Sequence, residues 1–290
     1  MLLIKNLTHK EFIIEYKKTV ENQMRYKVYP LLTGHFTVAF NGKGDMKFPR
    51  VKNIPSYIFL LVNENGEAVV VDTGFDLNHI PAPDSHGERE PEQEIPFLIK
   101  QAGIDPFNVK IIIQTHLHWD HAAGIKHFPN AVIYIQSGEI EGLFNLREYE
   151  ETSFCPDHWI DRLDSFILLD GDHTILPGIE VIRTGGHTQG HQAVKIEGES
   201  QSILLLGDSP FTYEWLWTLV PDAYWKEYKS GKGGKFFWKN ELLPVIDKWF
   251  KKQKASSSGF LKDYSMSDLQ KIGDMQVFSH DPGLKGKKNL

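Results

Sequence analysis

Four side chains that can bind a metal ion lie within six residues of one another, and they constrain the fold more than any other feature. They are His116, His118, Asp120 and His121. Residues 109–113, just before them, are mostly β-branched and apolar, a pattern that predicts a buried strand. Histidine nitrogens at alternate positions suit a tetrahedral zinc ion, and aspartate adds an oxygen donor. The chain must therefore bring the end of a buried strand to a polar, ligand-rich site.

Three more potential ligands follow strand-like runs later in the chain. They are His187, Asp208 and His280, and each lies where an apolar run gives way to a turn. Loops at strand ends are where α/β folds place binding and catalytic residues. Scattered surface histidines are the alternative explanation, and the repeated placement at strand ends argues against it.

In this order, the ligands resemble those of the metallo-β-lactamase superfamily, and within it the N-acyl-homoserine lactonases. Other matching motifs are Asp-Thr-Gly at residues 72–74, His-Thr-Gln-Gly-His-Gln at 187–192, Gly-Asp-Ser at 207–209 and Ser-His-Asp at 279–281. The resemblance covers roughly residues 55–215 and 275–283. It implies an α/β fold, an αββα sandwich of the metallo-β-lactamase type, in which helices enclose two sheets.

The resemblance also implies that the ligands share two divalent metal ions per chain, expected to be zinc. The resemblance assigns His116, His118 and His187 to the first ion and Asp120, His121 and His280 to the second. It also implies that Asp208 bridges both ions. Diiron redox relatives carry glutamate at the position of His118. Three neutral imidazoles therefore favour zinc and a hydrolytic site over electron transfer.

The activity implied by the resemblance is that of a lactonase, which opens N-acyl-homoserine lactones or similar rings by attack of a metal-bound hydroxide. A bound metal ion lowers the pKa of water to about 7, which provides a nucleophile at neutral pH. Asp120 would pass a proton to the leaving oxygen. Thioester and phosphoester hydrolases of the superfamily use nearly the same ligands, and a metal-stabilised binding protein without turnover is a third interpretation. The complete ligand set favours an enzyme.

Two residues outside the ligand set have predicted supporting roles. Asp72 is expected to hold an imidazole N–H or the backbone of the ligand loop, which would fix the orientation of a ligand. His191, four residues after His187, is expected either to support that ligand or to pack.

The substrate side of the site departs from the lactonase pattern. Lactonases carry a tyrosine three residues after the bridging aspartate, where this chain has Phe211. Tyr213 is the candidate replacement as a catalytic hydroxyl. Trp119 and Phe211 are expected to line the substrate cleft.

Two segments are predicted insertions in a single domain spanning residues 1–290. Residues 76–94 are acidic and rich in proline, which predicts a mobile loop; its His79 and His86 are either solvated or part of a further metal site. Residues 211–264 are strongly aromatic. That segment would pack in the core, form a wall around an apolar acyl group, or join two copies of the chain, so a homodimer is one expected assembly.

Composition limits the other classes of function. A net charge of -6 and a pI near 6.1 argue against a nucleic-acid-binding surface. No run approaches the roughly 20 apolar residues needed to cross a bilayer, so no membrane partner is expected. The one cysteine, Cys155, excludes an internal disulfide, and nothing near it in sequence would activate it as a nucleophile. We expect a cytoplasmic enzyme with a small-molecule substrate.

Periodicity predicts the elements around the site. A hairpin with an Asn-Gly turn joins residues 56–62 and 68–71. A helix lies within residues 91–103, and Pro96 delays its start because proline suits only the first turn. An amphipathic helix is predicted over residues 241–254, with an apolar face formed by Leu242, Val245, Ile246, Trp249 and Phe250.

Overall fold

The fold is given by a computed structural model, which describes residues 24–39, 50–81, 85–146, 150–209, 241–253 and 264–290. Phe211, Tyr213 and most of the predicted aromatic insertion lie outside these residues. The roles assigned to them therefore stay predictions.

Strands and short helices alternate along the described chain. The strands are β1 (Tyr26–Ala39), β2 (Arg50–Asn63), β3 (Ala68–Val71), β4 (His86–Glu88), β5 (Ile111–Ile113), β6 (Val132–Gln136), β7 (Phe166–Leu169), β8 (His173–Leu176), β9 (Ile179–Arg183), β10 (Gln192–Glu197), β11 (Ser202–Leu205) and β12 (Met275–Val277). The α-helices are α1 (Ile95–Gln101), α2 (Trp119–Ala122), α3 (Ser137–Gly142), α4 (Leu243–Phe250) and α5 (Met266–Leu269). Shorter 3₁₀ turns, such as Pro156–His158, connect them.

The strands of the described chain form two sheets. The first has the order β4-β1-β2-β3-β5-β6-β7, and the second has the order β12-β11-β10-β9-β8. Strands β3, β5, β6 and β7 run parallel to one another, and so do β11 and β12. Neighbouring parallel strands end at a common edge, so the loops that leave them lie close together.

Side chains alternate between the two faces of the first sheet and build two separate cores. Phe59 and Leu61 of β2 belong to the core between the sheets, together with Val194 of β10. Their neighbours Ile58 and Leu60 belong to a core on the opposite face. The first sheet is therefore buried on both sides.

Helices cover the outer face of each sheet. Ile99 of α1 and Ile246 of α4 belong to the core outside the first sheet. Leu269 of α5 packs with Ile182 and Leu204 outside the second sheet. The layers run helix, sheet, sheet, helix, which confirms the predicted αββα sandwich.

The predicted hairpin and the first predicted helix are confirmed. Strands β2 and β3 pair antiparallel, and the Asn63 side chain accepts hydrogen bonds from the backbone N–H groups of Asn65 and Glu67 in the turn between them. Helix α1 begins at Ile95 and carries Pro96 in its first turn. The delayed start expected from this proline is therefore correct.

Helix α4 is shorter than the predicted helix, and one of its predicted core positions was wrong. Ile246 and Trp249 are buried as expected, whereas Val245 is 50% exposed. The deeply buried face of the helix consists of Ile246 and Trp249, which are three residues apart. Val245 lies beside this narrow face and points to solvent.

The loop predicted over residues 76–94 contains a short strand. Strand β4 pairs antiparallel with β1. The guanidinium of Arg89 donates hydrogen bonds to the backbone oxygens of Thr33 and Phe75 and lies 4.6 Å from the centroid of the Phe75 ring. A strand of this length has too few residues to produce a period-2 signal in a proline-rich sequence.

None of the helices in the described ranges is long and apolar enough to cross a membrane.

Candidate metal centre

The predicted ligand loop leaves β5 and enters the short helix α2. His116 and His118 lie in the loop, and Asp120 and His121 lie in the first turn of α2. The backbone N–H of His121 donates to the His118 carbonyl over 3.0 Å. This turn brings side chains from the loop and from the helix to the same side.

The ring nitrogens of His116, His118 and His187 converge on one point. Nε2 of His116 and Nε2 of His187 lie 3.0 and 3.1 Å from Nδ1 of His118. In a tetrahedron with metal–nitrogen bonds of 2.0–2.1 Å, ligand nitrogens lie about 3.3 Å apart. The three buried rings therefore have the spacing that a single ion requires.

The protonation of this first group also suits metal binding. Burial, together with the neighbouring histidines, lowers the pKa of His116 and of His118 well below the ordinary value. Both rings are therefore neutral at pH 7, which is the state in which imidazole binds a metal ion.

A second group of four donors lies beside the first. Nε2 of His121 lies 3.3 Å from Nε2 of His280, and both nitrogens lie 3.3 Å from Oδ1 of Asp208. Oδ2 of Asp120 completes the group, 3.4 Å from Nε2 of His280 and 3.7 Å from Nε2 of His121. Two nitrogens and two oxygens form a donor set that fits a second divalent ion.

The carboxylate of Asp208 lies between the two groups. Its Oδ1 faces His121 and His280, whereas its Oδ2 lies 3.5 Å from Nε2 of His187. Oδ1 is buried and has no hydrogen-bond partner among the described residues. A buried carboxylate oxygen without a donor fits a position that faces a cation.

The charges of the second group depend on one another. Burial alone would lower the pKa of both histidines, but the carboxylates, Asp208 foremost, raise the pKa of His121 well above its ordinary value and that of His280 to about 10. Burial would raise the pKa of Asp208, yet His280 and His121 hold it well below its usual range. A divalent ion bound by these atoms would take the place of the two imidazolium protons.

Asp72 contacts both the ligand loop and the ligand His121. Its Oδ2 lies 2.8 Å from Nδ1 of His121, and its Oδ1 accepts the backbone N–H of Thr115 over 2.8 Å. The residue is fully buried and has a positive φ of 57°, a conformation that aspartate tolerates better than most residues. These bonds leave Nε2 of His121 free to point at the second site.

The second-site ligand His280 is oriented by a different strand. Its Nδ1 donates to the carbonyl of Pro55 in β2 over 2.7 Å. Nε2 is therefore the nitrogen available as a ligand, because the hydrogen bond fixes the tautomer.

His191 contacts the backbone of Asp208 and also packs edge-on against the ring of His187, with ring centroids 5.8 Å apart. Its Nε2 accepts the backbone N–H of Asp208 over 3.2 Å, and its Nδ1 lies 2.6 Å from the hydroxyl of Thr184. Burial lowers the pKa of His191 to about 3, so the ring is neutral. Gly207 permits this contact, because a Cβ at that residue would lie 2.6 Å from Nε2 of His191.

Thr115 supports the site but was not found from the sequence. Its hydroxyl lies 2.9 Å from Oδ2 of Asp72 and 2.9 Å from Nδ1 of His116. Thr115 thus connects Asp72, which contacts His121 of the second group, to His116 of the first group. The residue directly precedes the first ligand, and that adjacency was the one available signal.

Glu139 of α3 was also missed. It is almost completely buried, and its carboxylate accepts hydrogen bonds from the backbone N–H groups of Leu117 and Gly190 and from the hydroxyl of Thr188. Burial raises its pKa to about 7 although these donors oppose the rise. An acidic residue in the first turn of a helix is usually explained by the helix dipole, so no local pattern predicted that Glu139 would be buried.

A cavity of about 300 Å³ opens beside the first group of ligands. Its walls include His118, His187, Phe154, Leu146 and Glu150. The cavity therefore combines two of the ligands with apolar and acidic side chains.

Trp119 was predicted to line the substrate cleft, but its side chain is buried behind the ligands. It is 4% exposed and packs edge-on against Phe36 and Phe75, with ring centroids 5.0 and 6.4 Å away. The Phe36 ring in turn lies 5.4 Å from that of His280. In the described structure Trp119 therefore supports the centre by packing.

The two histidines of the predicted 76–94 insertion have different surroundings. His86 is exposed on β4. His79 lies close to Cys155 and His158, and the three form a further cluster of potential ligands.

Comparisons with known proteins agree with this geometry. A sequence model of the metallo-beta-lactamase superfamily matches residues 52–237. The N-acyl homoserine lactonase AiiA of Bacillus thuringiensis subsp. kurstaki is 31% identical over 185 residues, which are 60% of this chain and 71% of that protein. An N-acyl homoserine lactonase of Bacillus cereus is 32% identical over 182 residues, or 59% of this chain and 70% of the relative.

Solved structures show the same similarity. A variant of B. thuringiensis AiiA with N-decanoyl-L-homoserine bound at its active site has a TM-score of 0.54 and 25% identity, covering 78% of this chain and 90% of that one. An N-acyl homoserine lactone hydrolase with the product N-hexanoyl-L-homoserine at its catalytic metal centre gives the same values. With the two-sheet sandwich, the paired donor groups and a match over more than half its length, the chain belongs to the metallo-beta-lactamase superfamily of metal-dependent hydrolases.

Proposed function

We propose that this protein is a dizinc lactonase that opens N-acyl-homoserine lactones or similar lactones. The observation that carries the proposal is the carboxylate of Asp208, whose two oxygens face two separate groups of donors. Relatives that are about 31% identical are named N-acyl homoserine lactonases, and similar structures hold acyl-homoserine molecules. Both facts support a lactone substrate.

The donor sets define how the chain would hold the ions. The first ion would bind His116, His118 and His187, and the second would bind Asp120, His121 and His280, with Asp208 shared. When bound, the two ions supply the Lewis acidity and the activated water that ester hydrolysis needs at neutral pH. The nitrogen-rich first group favours zinc over harder ions such as magnesium.

Asp120 is the residue proposed to move a proton. Its carboxylate belongs to the second group alone, and the side chain is 12% exposed. One oxygen faces His280, so the other is available to carry a proton to the leaving alkoxide of the lactone.

The cavity beside His118 and His187 is proposed to receive the substrate. Phe154 and Leu146 offer apolar contact, and Glu150 brings an acidic group to the same wall. Acidic walls repel a phosphoester, which carries negative charge. Among the alternative enzymes, a thioester hydrolase therefore fits the cavity better than a phosphoesterase. A metal-stabilised binding protein is the alternative that has no catalytic activity.

The aromatic segment at residues 211–238 is proposed to bind the acyl chain. It directly follows the ligand Asp208 and contains Trp215, Trp217 and Trp225. Burial of each methylene contributes about 0.8 kcal/mol at most, so two additional carbons would raise kcat/KM by about tenfold. Four further assignments stay predictions. They are the role of Tyr213 as the catalytic hydroxyl in place of the tyrosine that lactonases carry at the position of Phe211, the single domain, a homodimer and a cytoplasmic location.

A substrate screen tests the proposed function. The full-length chain, loaded with zinc, is assayed on acyl-homoserine lactones with short and long chains, on acyl thioesters and on phosphodiesters. Lactone opening that improves with chain length and is lost in Asp208→Ala is the expected result. Rapid thioester cleavage with inert lactones would replace the lactonase proposal, and no turnover by the metal-loaded chain on any of these substrates would favour a binding protein.

A further inference from the structure

A third cluster of potential metal ligands lies outside the two-metal centre. It consists of His79, Cys155 and His158, whose ligand atoms all lie within 4.8 Å of one another. None of the three belongs to the donor groups around Asp208. The cluster is also independent of the predicted lactonase activity.

The local backbone explains why Cys155 and His158 face the same way. Cys155 immediately precedes the 3₁₀ turn Pro156–His158, and the backbone N–H of His158 donates to the Cys155 carbonyl over 3.0 Å. Side chains three residues apart eclipse one another in such a turn. One short segment therefore presents a sulfur and an imidazole side by side.

His79 approaches this pair from the 76–94 segment. A turn fixes its backbone, since its N–H donates to the carbonyl of Asp76 over 3.3 Å. Nε2 of His79 lies 3.6 Å from Sγ of Cys155. The His79 and His158 rings are 5.1 Å apart between centroids and nearly perpendicular.

The sulfur–nitrogen distance is the one that a tetrahedral zinc site requires. Zinc–sulfur bonds are about 2.3 Å and zinc–nitrogen bonds about 2.0–2.1 Å, so the tetrahedral angle separates the two ligand atoms by about 3.6 Å. A thiol–imidazole hydrogen bond would also account for this one distance, but it leaves His158 unexplained.

His158 supplies the second observation that points to a ligand. Its side chain is 9% exposed, and neither Nδ1 nor Nε2 makes a hydrogen bond of good geometry within the described residues; the backbone of His79 is near enough only to oppose in part the fall in the His158 pKa. Burying an imidazole with both nitrogens unsatisfied costs free energy. An ion that takes one of these nitrogens as a ligand would recover part of that cost.

We propose that His79, Cys155 and His158 bind a third metal ion of the zinc class, with a fourth position open to water. A thiolate with two imidazoles is a donor set that zinc sites use. Cys155 is 3% exposed, whereas His79 is exposed, so the ion enters from the His79 side.

Protonation is consistent with this assignment. Burial, with the nearby His79, lowers the pKa of His158 to about 4, so the ring is a neutral ligand. Burial raises the pKa of the Cys155 thiol to about 12. Metal binding therefore forms the metal–sulfur bond, breaks the S–H bond and releases one proton to solvent.

The third ion would join two segments next to the two-metal centre. Phe154, beside Cys155, forms an isolated antiparallel bridge with the ligand His118. Cys155 itself packs in the cluster that contains Trp119. An ion at this position would hold residues 76–80 against the segment around Phe154, which pairs with the ligand loop. Its role would be structural rather than catalytic.

Cobalt substitution tests the site by a spectroscopic signal that the two-metal centre cannot give. The full-length apoprotein is titrated with Co²⁺, and metal content is measured after gel filtration. Cys155 is the one cysteine of the chain, so a thiolate-to-cobalt charge-transfer band in the near ultraviolet can come from this residue alone. The expected result is that band, together with one equivalent of cobalt beyond those of the two-metal centre.

Three variants separate a metal site from a hydrogen-bonded pair. Cys155→Ser and His79→Gln should each remove the third equivalent and the charge-transfer band, while the visible bands of the two-metal centre persist. His79 is exposed, so its variant keeps the test valid even where Cys155→Ser fails to fold. His86→Gln, from the same segment, is the matched control and should retain both signals. A folded wild-type chain with no thiolate band and no third equivalent would overturn the proposal, whatever its activity on lactones.

Discussion

Asp208 occupies the position in the centre on which both sites depend. Because its two oxygens face different donor groups, Asp208→Ala should lose metal from both sites together. His280→Ala removes a donor from the second group alone and should mainly weaken that site. Metal content measured after dialysis against a weak chelator checks both expectations. An Asp208→Ala chain that retains one tightly bound ion would contradict the shared carboxylate.

Asp72 acts through His121 without facing the second site itself. Asp72→Asn keeps the shape of the side chain but removes the charge that polarises the His121 N–H. Loss of such a carboxylate partner typically weakens metal affinity by about 10–100-fold. Competition with a coloured chelator should show this loss at the second site and little change at the first. Asp105→Asn is the control, since asparagine caps a helical turn as well as aspartate does.

His158 gives a pH dependence of folding that can be measured on the apoprotein. Its pKa is about 4 in the folded chain, because burial disfavours the imidazolium, and about 6.5 when unfolded. Between these values the unfolded chain binds more protons, so the free energy of unfolding falls as the pH falls from about 6.5 to about 4. The contribution is at most about 3 kcal/mol.

Urea unfolding in the presence of a chelator tests this contribution. His158→Phe removes the titrating group and should flatten the difference between pH 7 and pH 5 relative to the wild type. An unchanged pH profile in this variant would contradict the assigned cause, because the other buried histidines are common to both chains.

At the residue scale, the sequence predicted ligands better than it predicted their supports. The potential ligands recur where strands end, and four of them lie within six residues, so their types and order are informative. Thr115 and Glu139 act through burial and hydrogen bonds, which no local pattern records. Trp119 was assigned to the cleft because it lies between two ligands, but packing with Phe36 turns it inward.

Helix α3 and the His187 loop are in close backbone contact, and this contact sets a prediction at the scale of elements. A Cβ at Gly190 would lie 2.0 Å from the backbone nitrogen of Glu139. Gly190→Ala should therefore separate the loop from the helix and lower the free energy of unfolding by about 1–3 kcal/mol. Gly138→Ala is the matched control in the same contact, because its nearest atom would be 3.3 Å away.

Thermal unfolding with metal titration checks the glycine prediction. Gly190→Ala should also bind the first ion more weakly, since His187 belongs to that loop. Equal stability of the two alanine variants would contradict the close-contact argument.

At the scale of elements, periodicity was reliable for long patterns and poor for short ones. The β2–β3 hairpin and α1 were predicted from apolar runs, an Asn-Gly turn and a proline. Strand β4 was missed because three residues carry no measurable period. Helix α4 was predicted too long because Leu242 fits the apolar face and the lysines after Phe250 suit the C-terminal end of a helix, although both lie outside the helix.

The whole molecule places ligands from both sheets around one centre. The loop after β5 of the first sheet supplies four of them, and segments after β9, β11 and β12 of the second sheet supply His187, Asp208 and His280. The chain order of these ligands carries the family resemblance, and that resemblance implied the sandwich. The pairing of Asp208 with both groups was implied by resemblance alone, because spacing in sequence does not fix which ends of two sheets meet.

Because ligands from both sheets meet at the metal centre, the lifetime of the folded chain depends on the supply of metal. An ion that binds only the folded state at about a hundredfold excess over its Kd adds about 2.7 kcal/mol to the free energy of unfolding. Proteases cleave transiently opened chains in proportion to their population. Scarcity of the bound metal would therefore shorten the survival of this protein as well as abolish its activity, so its abundance would follow the supply of that metal.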